Sequence, residues 1–194
     1  MGRPRTFDMD DALECAMDLF WQKGYHAANL PDLLEAMGIV RGSFYKAFES
    51  KKEVFLKALD LYDRRYLQPA VDMLTAPDAR GMATVRAVFD SALELIRSGD
   101  PRGCLLCSTA AETAFHDREI ADAVNDQLDG LTSAFGAALE KDGHWAGVTA
   151  TERSAKAQSL TQHYVGLRVM QRSGRGFDDL KAGVDDLFAG KERP

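Results

Sequence analysis

The sequence predicts an all-α protein, and three observations carry that expectation. Apolar residues recur at helical spacing along nearly the whole chain. No segment shows clean strand alternation bounded by strand-type turns, and there is no internal repeat. The breaks fall at glycines, prolines and capping residues, where helices start and stop.

A first helix carries the stripe Ala12, Leu13, Ala16, Met17, Phe20 and Trp21, with Asp8 or Asp10 as its cap and Gly24 at its end. Asn29 is the expected cap of a second short helix, with Pro31 in its first turn and Leu33, Leu34 and Met37 on its apolar face up to Gly38. A third short helix is expected from Arg41 to Phe48, with Phe44 and Phe48 inward. Ser50 caps a long fourth helix (Val54, Phe55, Ala58, Leu59, Tyr62, Leu67), which should kink or end near Pro69. Further helices are expected from Ala79 to Arg97, Cys104 to Phe115, Asp117 to Glu140 and Phe177 to Phe188. Another should start after Thr149, where Glu152 gives capping-box spacing, and run to about Arg172. Short helices give way to long ones near residue 50, which divides the chain into a head, residues 1–50, and a helical body, residues 51–194.

The bulk numbers narrow the function. The chain has 194 residues, 45% of them apolar, enough for a sizeable core. Its net charge of −6 argues against a basic coat, though one local basic patch remains compatible with it. Three sparse cysteines, Cys15, Cys104 and Cys107, fit a reducing cytosol better than a disulfide scaffold. No apolar run is long enough to span a membrane, and the first residues are charged where a signal peptide is apolar. A cytoplasmic protein without membrane association is expected. Gly2 and Thr6 have myristoylation spacing, but Arg3, Pro4 and Arg5 find a better use below.

The stretch LPDLLEAMGIVRGSFYKAF, residues 30–48, has the shape of a helix-turn-helix. In that motif one helix braces across the DNA backbone while the next enters the major groove. Packing through Leu33, Leu34, Met37, Ile39, Phe44 and Phe48 would leave Arg41, Gly42, Ser43, Tyr45 and Lys46 outward. From Arg41 to Lys52 there are four basic residues and one acidic. The start of the fourth helix favours a phosphate, and Arg3 and Arg5 form an arm suited to phosphates or the minor groove. The plain alternative is a glycine joining two packing helices beside a solvated charged face.

From Phe7 to Tyr62 the chain resembles the head of the tetracycline-repressor (TetR) family. The resemblance rests on ALECAMDLFWQKGY, LPDLLEAMGI, RGSFYKAF and SKKEVF, and covers the first third closely. Beyond it, length, helix pattern and GCLLCSTAAE are similar to some members. The resemblance implies base and phosphate contacts from Arg41, Gly42, Ser43, Tyr45 and Lys46, and a phosphate contact from Lys51. Asn29 stands where many members have Ser or Thr, so a hydroxyl contact becomes an amide contact. Val40, often polar in the family, could touch a thymine methyl.

Specific readout needs two half-sites and hence a two-fold homodimer. The last two helices are candidates for its interface. One carries Phe177, Leu180, Val184, Leu187 and Phe188; the other carries Leu160, Tyr164, Leu167 and Gln171, with small Ala155, Ser159 and Gly166. Core packing within one subunit is the alternative, and the resemblance implies a four-helix interface. It also implies an effector pocket in the body. Phe89, Leu93, Phe115, Phe135, Trp145, Tyr164 and Met170 are candidates to line it, with His116 and His163 as polar handles, though each aromatic taken singly reads more readily as core. Such a lining suits a small apolar or aromatic effector.

Cys104 and Cys107 form a CxxC near a helix start, where the helix N-terminus and Arg102 could depress the Cys104 pKa. A redox- or electrophile-responsive repressor is one reading of this pair; two small buried hydrophobes is the other. Two cysteines fall short of a zinc site, and neither a metal nor a cofactor is expected. His26, His116, His144 and His163 are scattered, and no HExxH, GxSxG or phosphate loop occurs, so no enzyme is expected. A helical ligand-binding module without a DNA role would leave the Arg41–Lys52 cluster unexplained. The expected function is a dimeric transcriptional regulator of a double-stranded operator, a repressor released when a ligand shifts the spacing of its heads, with the fourth helix as lever.

Overall fold

The computed structural model describes residues 9–145 and 147–189. Among these residues the chain is helical and contains no strand. The α-helices are α1 Met9–Lys23, α2 Leu30–Ala36, α3 Arg41–Ala47, α4 Lys51–Tyr62, α5 Gln68–Thr75, α6 Met82–Arg97, α7 Leu105–Thr109, α8 Arg118–Glu140, α9 Ala150–Arg172 and α10 Phe177–Phe188. Arg3 and Arg5 lie outside the described residues.

Local sequence accounts for most of the boundaries. Asn29 and Asp32 form a reciprocal capping box at α2, and Thr149 and Glu152 form another at α9. Ser50 accepts the Glu53 N–H at α4, and Asp117 caps α8. Gly38, in the turn between α2 and α3, takes φ +64°, a left-handed conformation in which other residues are strained.

Three expected boundaries differ. The break after α4 comes before Pro69, as a π-helical turn over Asp63–Leu67 closed by the Gln68 N–H on the Asp63 carbonyl. Pro69 then falls in the first turn of α5, where its missing N–H costs nothing. Helix α6 starts at Met82, not Ala79. Gly81 provides no side-chain cap, and the Met82 N–H instead donates to Asp142 Oδ2 at 2.9 Å, a partner far along the chain. The expected helix from Cys104 to Phe115 is α7 followed by a second π-helical segment, Ala110–Ala114.

The core has two clusters. The first joins Phe20, Trp21, Leu33 and Phe44 of the head to Phe55, Tyr62, Leu67, Cys104, Leu106 and Ile120. The second gathers Leu74, Phe89, Phe135, Leu139, Leu160 and Leu167. Helix α8 contributes to both, and the first cluster continues across residue 50 without a seam.

Candidate functional site

Helix α3 is anchored by Phe44 and Phe48, which are buried, and by Ile39 just before it. With that face fixed, helical spacing turns Arg41, Gly42, Tyr45 and Lys46 to solvent and leaves Ser43 half-buried. Val40 is 71% exposed and Tyr45 53%, unusual for side chains that could pack. The Arg41 guanidinium carbon lies 5.8 Å from the Tyr45 ring centroid. Asn29 is exposed, and its Oδ1 accepts the Asp32 N–H at 3.0 Å.

The basic cluster is less uniform than its sequence. Lys52 is spent on the body: its Nζ lies 3.3 Å from Asp117 Oδ2 and 2.6 Å from Glu119 Oε2. Lys51 is half-buried with Nζ 4.5 Å from the Tyr25 ring centroid. Burial lowers its pKa, and the Glu112 carboxylate works against that shift. Arg41 and Lys46 carry the exposed charge on α3.

In the body, an open groove of about 530 Å³ runs between α9 and α10. Leu167, Leu180, Val184 and Leu187 line it, with Phe89 at its floor and His163 and Met170 at its margin. Phe177 lies beside it, half-buried, with the Arg97 guanidinium carbon 4.6 Å from its ring centroid. Leu160, expected at the dimer interface, is instead fully buried in its own chain's core. It belongs to the buried cluster that holds Phe89 of α6 and Phe135 of α8, and it does not line the groove.

The expected pocket lining is dispersed: Phe89, His163 and Met170 share the α9–α10 groove, and the remaining candidates lie elsewhere. Phe89, Leu93 and Phe135 are buried core, with the Phe89 and Phe135 rings 6.2 Å apart. Phe115 is 91% exposed and His116 is exposed too, because the π-helical segment before them ends and turns the chain outward. Trp145 lies half-buried in the α8–α9 loop beside Lys156. His163 is exposed and bonds the Ser159 carbonyl of its own helix. Tyr164 alone of that set borders the small interior cavity of about 20 Å³, room for about one water.

That cavity brings the two candidate cysteines together with side chains that carried no expected role. Tyr62, Tyr66 and Arg168 meet Cys104 and Cys107 there. Arg168 is 5% exposed. Its Nη2 donates to the Gly103 carbonyl at 2.6 Å, while Nη1 has no hydrogen-bond partner among the described residues. An arginine four residues after Tyr164, on the buried stripe of α9, was the available signal. Arg102, expected to act on Cys104, is turned away and engages Asp18 and Asp100. Cys104 is held well below the ordinary thiol range. The Cys107 S–H donated to its sulfur is the main cause; burial opposes it, and the Tyr62 hydroxyl and the Arg168 charge assist it. Cys107, which supplies that proton, is pushed up.

A short outward helix with a basic and hydroxyl-bearing face, set on a larger helical body, defines a helix-turn-helix DNA-binding transcriptional regulator. The profile for "Bacterial regulatory proteins, tetR family" matches residues 12–58. An HTH-type transcriptional regulator of Bacillus subtilis, YezE, is 30% identical over 188 residues, covering 95% of this chain and 96% of its own. The HTH-type transcriptional repressor ComR of Escherichia coli is 32% identical over 127 residues, 65% of this chain and 60% of its own. A solved structure of the TetR family regulator CifR, a cysteine-substituted form in complex with 26-bp double-strand operator DNA, superposes with a TM-score of 0.83 at 30% identity. That match covers 97% of this chain and 99% of CifR. The chain belongs to the TetR family of bacterial transcriptional regulators.

Proposed function

We propose that the chain acts as a cytoplasmic homodimeric repressor that catalyses no reaction, with residues 1–50 as DNA-reading head and residues 51–194 as ligand-responsive, dimerising body. The outward face of α3 carries this reading: Arg41, Gly42, Ser43, Tyr45 and Lys46 project from a helix whose Phe44 and Phe48 are locked in the core. Arg41, Tyr45 and Lys46 reach bases and phosphates of the major groove. Asn29, Lys51 and the arm with Arg3 and Arg5 add backbone contacts. The operator complex of CifR and the repressor role named for ComR support the same assignment.

The α9–α10 groove is the proposed dimer seam, with Phe177, Leu180, Val184, Leu187 and Leu167 meeting their copies across a two-fold axis. The interior cavity beside Tyr62, Tyr66 and Tyr164 is the proposed effector entry. At its present size an apolar or aromatic effector enters only by parting α4 from α9, and that parting moves the head through α4 and the π-helical turn behind it. A gel shift on the DNA flanking the coding region, with sedimentation of the free protein, tests this. Retarded DNA and a two-subunit mass are expected; a monomer at micromolar concentration, or no shift at low salt, removes the reading.

A further inference from the structure

Arg168 is a buried cation with half of its guanidinium unpartnered, and what faces it is a pair of thiols. Asp100, which feels its charge, is already held by Arg102. A buried charge without a counter-charge is costly, so the site is built for an anion. The sulfur of Cys104, in the same cavity wall as Tyr62, Cys107 and Arg168, is placed to be that anion. Cys104 is the N-cap of α7 and Cys107 its third residue, so the two sulfurs share one side of the first turn. A second cavity of about 300 Å³, open to solvent, is lined by Cys104, Cys107, Glu112, Arg168 and Arg172, so a small reagent reaches the thiols from outside.

The same segment grips the head at two points. Arg102 donates to Asp18 Oδ1 at 2.7 Å and covers Trp21, both on α1. Glu112 Oε1 accepts the His26 N–H at 2.9 Å. Between these grips lie Gly103, the cysteines and the start of the π-helical segment Ala110–Ala114. Gly103 has φ +70°, and a Cβ there would sit 2.9 Å from the Arg168 carbonyl oxygen, so the chain is pressed against α9 at that point.

We propose that Cys104 and Cys107 are an oxidant-responsive dithiol, in which a small hydroperoxide oxidises Cys104, Cys107 closes a disulfide, and the 102–112 segment releases its grip on the DNA-reading head. In the first step the Cys104 sulfur anion attacks a peroxide oxygen. An S–O bond forms, the O–O bond breaks, and the departing alkoxide or hydroxide takes a proton from water. In the second, the Cys107 sulfur attacks Cys104; the S–S bond forms, the S–O bond breaks, and the oxygen leaves as water with the Cys107 proton. The thiols lose two electrons and the hydroperoxide gains them. Bridging needs the two Cβ atoms closer than one helical turn ordinarily holds them, so the start of α7 must tighten. It also takes away the anion facing Arg168, whose Nη2 holds Gly103 next to Arg102.

The functional half of this inference rests on the repressor reading; the chemical half does not. The test uses the full chain carrying C15S, treated with hydrogen peroxide, and reads two signals from each sample. One is the mass of the tryptic peptide Gly103–Arg118, the other the operator affinity by fluorescence anisotropy. Expected are a peptide lighter by two hydrogens and an affinity lower by about tenfold or more, both reversed by a thiol reductant and both absent in C107A. An unbridged peptide at excess peroxide, a bridged peptide with unchanged affinity, or release in C107A equal to that of its parent overturns the proposal. Release by an alkylating reagent but not by peroxide overturns it as well. Should C107A not fold, the paired mass and affinity of its parent decide alone. If the reduced protein binds no DNA the repressor reading fails, while the peptide mass still decides the dithiol chemistry.

Discussion

The guanidinium of Arg102 lies over the indole of Trp21, its carbon 3.9 Å from the ring centroid, while Nη1 donates to Asp18 Oδ1 at 2.7 Å. One side chain from the loop before α7 thus holds α1 by stacking and by a charged hydrogen bond together. Replacing Arg102 with Ala should lower stability by about 1–2 kcal/mol, read as a shift in urea midpoint. Arg102→Lys should recover little, because an ammonium has neither the planar stack nor the fork. A lysine variant as stable as the parent would show that charge alone makes the joint.

Two lysines of the head should behave differently on DNA. Lys46→Ala should weaken operator and random DNA alike and reduce the salt slope by about one unit, without affecting thermal stability. Lys51→Ala should do the same to DNA and also cost about 0.5–1 kcal/mol of stability, since its ammonium rests on the Tyr25 ring. A salt slope unchanged by Lys51→Ala would take that residue off the phosphate backbone.

The α2 cap gives a local test. Asn29→Ala should cost about 1 kcal/mol in chemical unfolding, and Asn29→Ser much less, since a hydroxyl caps equally well. The partner of that cap, Asp32, has a lowered pKa, chiefly from its hydrogen bond with Lys23 and then from the Asn29 N–H. Because its folded pKa is depressed, its contribution is fully present above the ordinary carboxylate value and is lost as pH falls through the folded one. Acid titration of unfolding should therefore show a loss below about pH 4 that Asp32→Asn removes. The same acid loss in Asp32→Asn would assign it to other carboxylates.

The groove between α9 and α10 predicts its own disruption. Leu187→Glu and Met170→Glu alter half-buried or exposed positions, so each should fold as the parent does. Both should sediment as single subunits and lose specific operator binding while keeping weak, salt-sensitive affinity for random DNA. A two-subunit mass in both variants would move the dimer seam elsewhere.

Much of this protein was legible locally. The caps Asn29, Ser50 and Thr149, the buried faces of α1 and α3, and the limits of α10 all follow from spacings of three and four residues, which one helical turn converts into contacts. The boundaries that moved depend on remote partners, as Met82 does on Asp142. The same holds at the sites. Lys52 reads as a free cation until α8 brings Asp117 and Glu119 against it.

The sequence by itself determined the all-helical fold, the exposed face of α3 and the family, because periodicity, capping and short motifs are properties of neighbouring residues. Only the tertiary structure decided which charges stay free, that the expected pocket lining is largely core or surface, and that Arg168 rather than Arg102 stands beside Cys104. Those outcomes are set by side chains tens of residues apart, whose burial and pairing exist only once the helices have packed.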